Sequence, residues 1–198
     1  LGVVEVVGTR PDLVNDVRVD VLDAEAIERH ARTDLSEALE LLPGVTLQNI
    51  GGRSERLVFV RGFNSRQVPL FIDGVPVYVP YDGNIDLARL GVVDIAEVVV
   101  SKGLTSVLYG PNALGGSINI VTRRPVEAFE GRVRVGMDFD RELDRSGQRA
   151  EVLLGTARDR YYLQLAGSWR ERDFTTLPSD FQPTAVQPEG RRINSGSE

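Results

Sequence analysis

The chain has 198 residues, of which 41% are hydrophobic and 26% are charged, and these proportions exclude a disordered chain and a bundle of membrane helices. Its formal net charge of -6 argues against a nucleic-acid partner, because such partners are held through their phosphates. With no cysteine, one histidine and one methionine, the chain is expected to form no disulfide and no metal site, and we expect no cofactor.

Two short helices are predicted in the first quarter of the chain, over residues 23–32 and 34–42. The second has an apolar face formed by Leu35, Ala38, Leu39 and Leu42. Asp34 and Glu37 approximate a capping box at its start, and Pro43-Gly44 ends it. We interpret both helices as a scaffold that covers one face of a sheet.

Short β-prone runs predict strands over residues 3–7, 57–61, 69–73, 95–100 and 117–122. The first run, Val3-Val4-Glu5-Val6-Val7, is also consistent with an exposed edge that pairs with another chain. Between the last two runs, glycines at positions 103, 110, 115 and 116 indicate a compact turn that needs positive φ or close backbone approach. Their spacing matches neither a Walker loop nor a dinucleotide fingerprint, so residue types alone favour a structural crossover.

After Pro125 the pattern changes to alternation of apolar and polar residues. The alternating side chains form three sets: Val133, Val135, Met137 and Phe139; Ala150, Val152, Leu154 and Thr156; and Tyr161, Leu163, Leu165 and Trp169. Segments of roughly ten residues with aromatic residues near their ends are typical of transmembrane β-strands. A soluble antiparallel meander has the same alternation and remains an alternative on this evidence.

The stretch from Lys102 to Thr122 resembles the signature of the plug domain of TonB-dependent outer-membrane receptors. The matching residues are Lys102, Gly103, Ser106, Leu108, Tyr109, Gly110, Ala113, Gly115, Gly116, Ile118, Asn119, Ile120 and Thr122. One departure is Leu104, which stands where the family usually has proline. Leu42 to Val45, Arg61 to Phe63 and Phe71 to Pro76 are similar to further signatures of the same family.

This resemblance implies an α+β fold, in which a plug domain with a small mixed β-sheet and short helices precedes antiparallel strands that begin a transmembrane β-barrel. It divides the chain into a TonB-box-like segment over residues 1–10, a plug domain over residues 11–125, and the first strands and loops of an incomplete barrel over residues 126–198. Plugged transporter barrels have about 22 strands, so we expect the rest of the barrel to lie outside this chain. The start of the chain lacks the pattern of a cleavable signal, which suggests a mature or trimmed form if the protein is exported.

The resemblance also implies a function. Receptors of this family sit in the bacterial outer membrane, bind a scarce nutrient at its outer face and import it with force supplied through TonB. The expected partners are therefore the periplasmic domain of TonB, the nutrient, the outer membrane and the remainder of the barrel. We expect TonB to pair with Val3 to Val7, and we expect a ferric siderophore or another metal chelate as cargo because ferric siderophores are the commonest cargo.

The resemblance places further site residues by position. Arg61 and Lys102 match basic residues that face acidic groups on the barrel wall, although each is also compatible with a hydrated cation at a strand end. Loops at residues 51–54, 64–67 and 78–83 match the apical loops that face the outside of the cell. Their candidate ligand-binding residues are Arg53, Asn64, Arg66, Tyr78, Tyr81 and Asp82, and for each of them plain surface exposure is the alternative.

Two other functions are compatible with parts of the sequence. A plug-like periplasmic or surface module could bind a ligand without transporting it, although the alternating segments after Pro125 argue against this. The carboxylates Asp138, Asp140, Glu142 and Asp144 could serve an enzyme or a calcium site. Because these carboxylates are interspersed with arginines in a polar loop, a solvated hairpin loop is favoured, and we expect no catalytic residue.

Overall fold

The structure is a computed structural model that describes residues 18–50, 55–77, 84–103, 113–139, 143, 145–172, 175–176, 182, 191–192 and 196–197. It divides the chain into two compact units, Leu1–Arg123 and Arg124–Glu198. Each unit is described by itself below. Within the described residues, no helix combines the length and the apolar character needed to cross a membrane.

The first unit is built mainly from short strands. Its elements in chain order are β1 (Arg18–Asp23), α1 (Ala24–Arg29), α2 (Leu35–Leu39), β2 (Val45–Ile50), β3 (Glu55–Val60), β4 (Leu70–Ile72), β5 (Val75–Val77), a 3-10 helix (Leu87–Arg89), β6 (Ile95–Lys102) and β7 (Gly116–Thr122). Five of the strands form a mixed sheet in the order β1-β6-β7-β4-β5, and β2 pairs with β3 in a separate hairpin. Among the described pairs of the five-stranded sheet, β4–β7 is parallel and the others are antiparallel, and β1 lies at one edge.

The core of this unit lies against strand β6, whose β-branched residues suit the interior of a sheet. Val98 and Val100 of this strand are fully buried. They belong to one cluster with buried residues of both helices and of β3, among them Ile27, Leu35, Leu39 and Val60. The predicted role of the helices as a cover for one sheet face is therefore consistent with the packing.

Both helices are capped by aspartates, but both are shorter than predicted. The carboxylate of Asp34 accepts a hydrogen bond from the Glu37 N–H (2.9 Å), as the predicted capping box requires. The Glu37 carboxylate accepts from the N–H of Thr33 (3.1 Å), one residue before Asp34. After Leu39 the backbone changes from α-helical to 3-10-type hydrogen bonds, because the Leu41 and Leu42 N–H groups donate to carbonyls three residues back. Pro43 follows directly. The predicted helical end at residue 42 is wrong for this reason.

The second unit is an antiparallel sheet. Its strands are β8 (Glu130–Phe139), β9 (Arg145–Arg158), β10 (Tyr161–Arg172), β11 (Thr175–Thr176), β12 (Arg191–Arg192) and β13 (Gly196–Ser197). Four of them pair in the order β13-β10-β9-β8, and β11 pairs with β12. The three long strands have 10, 14 and 12 residues, lengths sufficient for a tilted transmembrane strand.

The predicted alternation of side chains in this sheet is confirmed. On one face, the apolar residues Val133, Val135, Met137, Phe139, Leu154, Leu163, Leu165 and Trp169 are all exposed. The opposite face is mainly polar and carries the ion pairs Arg134–Glu151 and Arg149–Asp138, although the buried Leu153 also lies on it. An apolar face opposite a polar face is the pattern of strands that meet lipid on one side.

Candidate functional site

The end of β6 holds a buried cation. Lys102 is only 5% exposed, and its Nζ atom donates to the carboxylate of Asp20 on β1 and to the carbonyl oxygen of Pro43. These contacts join the edge strand, the neighbouring strand and the turn that follows α2. A buried ammonium is tolerated where a carboxylate and further hydrogen bonds compensate for lost hydration, and both are present here.

Arg61 lies close to this end of the sheet but has a different environment. It has a left-handed backbone (φ 52°), and its N–H donates to the Gly44 carbonyl (2.8 Å). A Cβ added at Gly44 or Gly103 would lie 3.7 Å from the Arg61 side chain, so three signature segments meet here. Arg61 is exposed, and its guanidinium has no ion-pair partner among the residues that the structure describes. Sequence analysis missed the internal partners of Lys102, and contact of either residue with a barrel wall stays a prediction.

Two glycines of the Lys102–Thr122 signature allow close packing. Gly116 has φ 130°, and a Cβ there would lie 2.0 Å from the Ser101 carbonyl oxygen. A Cβ at Gly115 would lie 2.3 Å from the Cβ of Phe63. The prediction of positive φ or close backbone approach is therefore confirmed at these two positions and at Gly103, whose φ is 106°. Gly110 lies outside the described residues.

The turn between β4 and β5 is tied to strand β7. Asp73, which has a left-handed backbone (φ 50°), accepts from the N–H (2.8 Å) and the hydroxyl (2.6 Å) of Thr122. The Asn119 carboxamide oxygen accepts from the Gly74 N–H (3.0 Å). These contacts fix the turn between β4 and β5 against β7.

Only part of the predicted ligand-binding and TonB-binding set can be placed. Asn64 and Arg66 share a compact turn, in which the Asn64 side-chain oxygen accepts from the Arg66 N–H (3.1 Å). The candidates Arg53, Tyr78, Tyr81 and Asp82, and the segment Val3, Val4, Glu5, Val6 and Val7, lie outside the described residues. Their assignments stay predictions.

A short segment that sequence analysis did not single out borders these predicted loops. Asn84 accepts through its side-chain oxygen from the Ser65 hydroxyl (3.0 Å). Asp86 accepts from the Arg56 N–H (3.0 Å) and the Ala88 N–H (3.2 Å). Aspartate is a preferred N-cap residue, so the cap at Asp86 has a sequence signal, but the bond to Arg56, 30 residues away, has none.

The Arg56 side chain extends this polar network to helix α2. Its guanidinium lies 3.4 Å from the Glu37 carboxylate, 3.5 Å from the carboxylate of the buried Asp34 and 3.3 Å from the Ser36 hydroxyl. Partial burial opposes ionisation of Glu37, but hydrogen bonds from the Thr33 N–H and hydroxyl, together with Arg56, outweigh it and lower the pKa of Glu37. In the described part of the chain, no group of three or more His, Cys, Asp or Glu side chains could hold a metal ion.

The family is shown by comparison with known sequences. The sequence model of the TonB-dependent Receptor Plug Domain matches residues 14–117, which is more than half of the chain. The chain therefore belongs to the TonB-dependent receptor plug family. Receptors with such plug domains are outer-membrane proteins of Gram-negative bacteria and are not enzymes, so the predicted location and the prediction that the chain is no enzyme are confirmed.

Individual relatives show how similar this chain is to known proteins in sequence and in structure. The chain is 34% identical over 157 residues to the vitamin B12 transporter BtuB of Vibrio vulnificus (strain CMCP6), an alignment that covers 77% of this chain and 25% of the transporter. It superposes on the siderophore receptor PirA of Acinetobacter baumannii with a TM-score of 0.67 at 21% identity, covering 80% of this chain and 25% of the receptor. For the ferripyoverdine receptor of Pseudomonas aeruginosa the TM-score is 0.66 at 16% identity, covering 80% and 21%.

The chain thus spans about a quarter of the length of these relatives. The structural likenesses, at identities below 25%, support the fold: a plug with a small mixed sheet and short helices, followed by antiparallel barrel strands. The predicted fold class is confirmed.

Proposed function

We propose that this chain is the plug-bearing part of an outer-membrane receptor that imports a scarce nutrient with energy delivered by TonB. The observation that carries the proposal is the match of residues 14–117 to the plug domain of TonB-dependent receptors. In this proposal residues 1–10 bind TonB, residues 11–125 form the plug and residues 126–198 are the first part of the barrel. No bond in the nutrient need change, so the process is transport.

The proposed cargo is a metal chelate. The relative with 34% identity is named as a vitamin B12 transporter, and the structural neighbours include receptors for siderophores such as ferripyoverdine. Both cargo classes carry their metal inside an organic chelator. A chain without cysteine and with one histidine suits recognition of the chelator through polar and aromatic contacts. A ferric siderophore is the expectation from the family at large, and the 34% identity favours a corrinoid as the second candidate.

The proposed mechanism links the outer loops to the N-terminal segment. The nutrient binds Arg53, Asn64, Arg66, Tyr78, Tyr81 and Asp82 on the apical loops, and TonB pairs with Val3 to Val7 by strand addition. Force on the N-terminal segment then acts early on β1, because β1 is the first element of the described part of the chain and lies at an edge of the sheet. Movement or partial unfolding of the plug lets the nutrient pass.

Uptake by the full-length receptor tests this proposal. The receptor would be expressed in a bacterial strain that lacks its own vitamin B12 and ferripyoverdine receptors, with and without TonB, and given each radiolabelled compound. TonB-dependent uptake of either compound is the expected result. Binding without uptake would favour a plug-like binding module, and absence of binding to both compounds would exclude these two compounds as cargo.

A further inference from the structure

The chain enters the second unit through a short segment that is held against strand β9. The second unit begins at Arg124 and its first strand begins at Glu130, and we call residues 124–129 the junction segment. The carbonyl of Glu127 accepts a hydrogen bond from the Ala157 N–H (2.8 Å). The next carbonyl, that of Ala128, accepts from the Thr156 hydroxyl (2.7 Å). The junction segment is therefore attached to β9 before β8 begins.

A proline of the junction segment occupies the space over a glycine of β9. Pro125 is buried, and a Cβ added at Gly155 would lie 2.8 Å from the Pro125 Cβ and 3.2 Å from the Glu130 Cγ. The missing side chain at Gly155 is thus what allows Pro125 to approach the strand so closely. Alternate residues of a strand share a face, so Gly155 lies on the same face as Glu151, the mainly polar one.

Further contacts hold the junction segment near its two ends. The Arg124 guanidinium lies 5.7 Å from the centre of the Tyr162 ring on β10, within the range of a cation–π interaction. The Val126 N–H donates to the carboxylate of Glu130 (3.2 Å). Proline fixes its own φ and restricts the residue before it to extended conformations, so Arg124 and Pro125 have little conformational freedom.

These contacts determine where a pull on the chain is resisted. Force that passes along the chain from the first unit reaches Arg124 before it reaches β8. Strand β8 is the terminal strand of its described sheet, and its first pair is Glu130 with Gly155. If the junction segment were unattached, the whole force would act on this one pair and would open the β8–β9 ladder from its end. The contacts of the junction segment distribute the force over β9 and β10 instead.

We propose that the junction segment is a mechanical anchor, which holds the C-terminal end of the plug on strand β9 and keeps β8 paired while TonB pulls on the plug. The inference rests on the proposed function for the source of the force, because that function assigns the pull to TonB. Its contacts act under force, so their loss should shorten the time for which the receptor withstands a pull.

The first arm of the test needs neither TonB nor nutrient. The full-length receptor in a lipid bilayer would be pulled at constant force through a handle attached at residue 18. Residues 18–123 span about 380 Å when fully extended, at about 3.6 Å per residue. We expect the extension of wild type to pause at about this length, because the anchor then resists, and to continue when the junction segment and β8 detach. Absence of a pause in wild type would overturn the proposal.

A hydroxyl deletion tests one contact of the anchor. Thr156→Val keeps the β-branched shape but loses the hydrogen bond to the Ala128 carbonyl, whereas Thr156→Ser keeps a hydroxyl. We expect the pause to last about fivefold less long in Thr156→Val and to recover in Thr156→Ser. A pause of wild-type duration in Thr156→Val would count against a force-carrying role of this contact.

Two glycines provide a matched pair for the proline contact. Valine at Gly155 would displace Pro125, whereas a Cβ at Gly167 lies 3.5 Å from the Val152 side chain, which is an ordinary contact. Both substitutions place a β-branched residue in a strand of the same sheet. We expect the pause to shorten about tenfold or more in Gly155→Val and less than about twofold in Gly167→Val. Equal pauses in these two variants would refute the anchor.

The second arm asks whether TonB applies the force. Wild type, Gly155→Val and Thr156→Val would be expressed in cells with and without TonB and supplied with vitamin B12 and ferripyoverdine, and the amount of receptor with a folded barrel would be followed after protein synthesis is stopped. We expect both variants to be lost faster than wild type in cells with TonB and at the wild-type rate in cells without it. Equal loss in the two strains would overturn the role during TonB action, while the pulling arm still decides whether the junction segment carries force.

Discussion

Replacing Asp20 by asparagine tests whether the Lys102 contact holds the edge strand of the plug. The Lys102 side chain is 4% exposed, and the Asp20 side chain is 32% exposed. Asparagine keeps the size of the side chain but removes its charge, so the ammonium of Lys102 stays buried with the Pro43 carbonyl and a neutral amide as neighbours. Opening of β1 then allows Lys102 to regain water, which favours the opened form.

The expected loss of stability follows from the burial of Lys102 and Asp20. Breaking a fully buried ion pair by removing one partner costs about 3–5 kcal/mol, and the partial exposure of Asp20 reduces this to about 2–3 kcal/mol here. Replacing Lys102 by methionine removes the buried charge and leaves Asp20 with access to water, so we expect a loss of only about 1 kcal/mol in stability. The charge deletion on the exposed partner is therefore expected to cost more than that on the buried partner.

Native-state hydrogen exchange of β1 in the full-length receptor measures this difference. A loss of about 2–3 kcal/mol makes the amides that pair with β6 exchange about 30-fold to 160-fold faster in Asp20→Asn. The control is Glu25→Gln, which breaks an exposed ion pair with Arg29 (2.7 Å) and is expected to change exchange less than about threefold. The reasoning is refuted if Asp20→Asn behaves like Glu25→Gln, or if Lys102→Met exchanges faster than Asp20→Asn.

Three further predictions concern packing, pH and the sheet of the second unit. Gly116→Ala is expected to destabilise the plug by about 3 kcal/mol or more in chemical denaturation, because its Cβ would meet the Ser101 carbonyl at a φ of 130°. Gly74→Ala, where φ is 79° and a Cβ meets open space, should cost about 1 kcal/mol, and equal losses would contradict this. Because the pKa of Glu37 is lowered in the folded protein, its stabilisation is complete above the ordinary glutamate pKa and is lost as pH falls through the folded value. Glu37→Gln should therefore flatten the decline in unfolding free energy between about pH 5 and pH 3, and an unchanged profile would argue against the Thr33 and Arg56 contacts. Val135→Lys on the exposed apolar face should reduce outer-membrane assembly of the full-length receptor, because a lysine facing lipid destabilises a barrel by about 2–4 kcal/mol. Ser168→Lys on the polar face should not reduce assembly, and equal assembly of the two variants would contradict the assignment of faces.

Local patterns in the sequence predicted much of the architecture. Alternation after Pro125 predicted the exposed apolar face of β8, because side chains alternate strictly across a strand. Gly115 and Gly116 predicted the close packing at the start of β7, because only glycine fits there. Asp34 predicted the start of α2, since cap residues act over three positions of the chain.

The contacts that define the candidate site were not predictable in this way. Asp20 and Lys102 are separated by 82 residues, and Arg56 and Asp86 by 30. Such pairs produce no periodic pattern in the sequence, because they depend on how strands are ordered in space. The early end of α2 was missed for a related reason, since the apolar face continues to Leu42 while the backbone has already tightened ahead of Pro43.

The most direct test of the account is a titration of the purified full-length receptor with the periplasmic domain of TonB, with and without residues 1–10. The account predicts binding by the intact receptor and loss of that binding on deletion, because Val3 to Val7 supply the strand that pairs with TonB. Deletion of residues 11–17 with residues 1–10 retained serves as a control for shortening of the N-terminal segment. Binding that survives deletion of residues 1–10, or no binding by either form, would contradict the assignment of this segment as the point at which TonB engages the receptor.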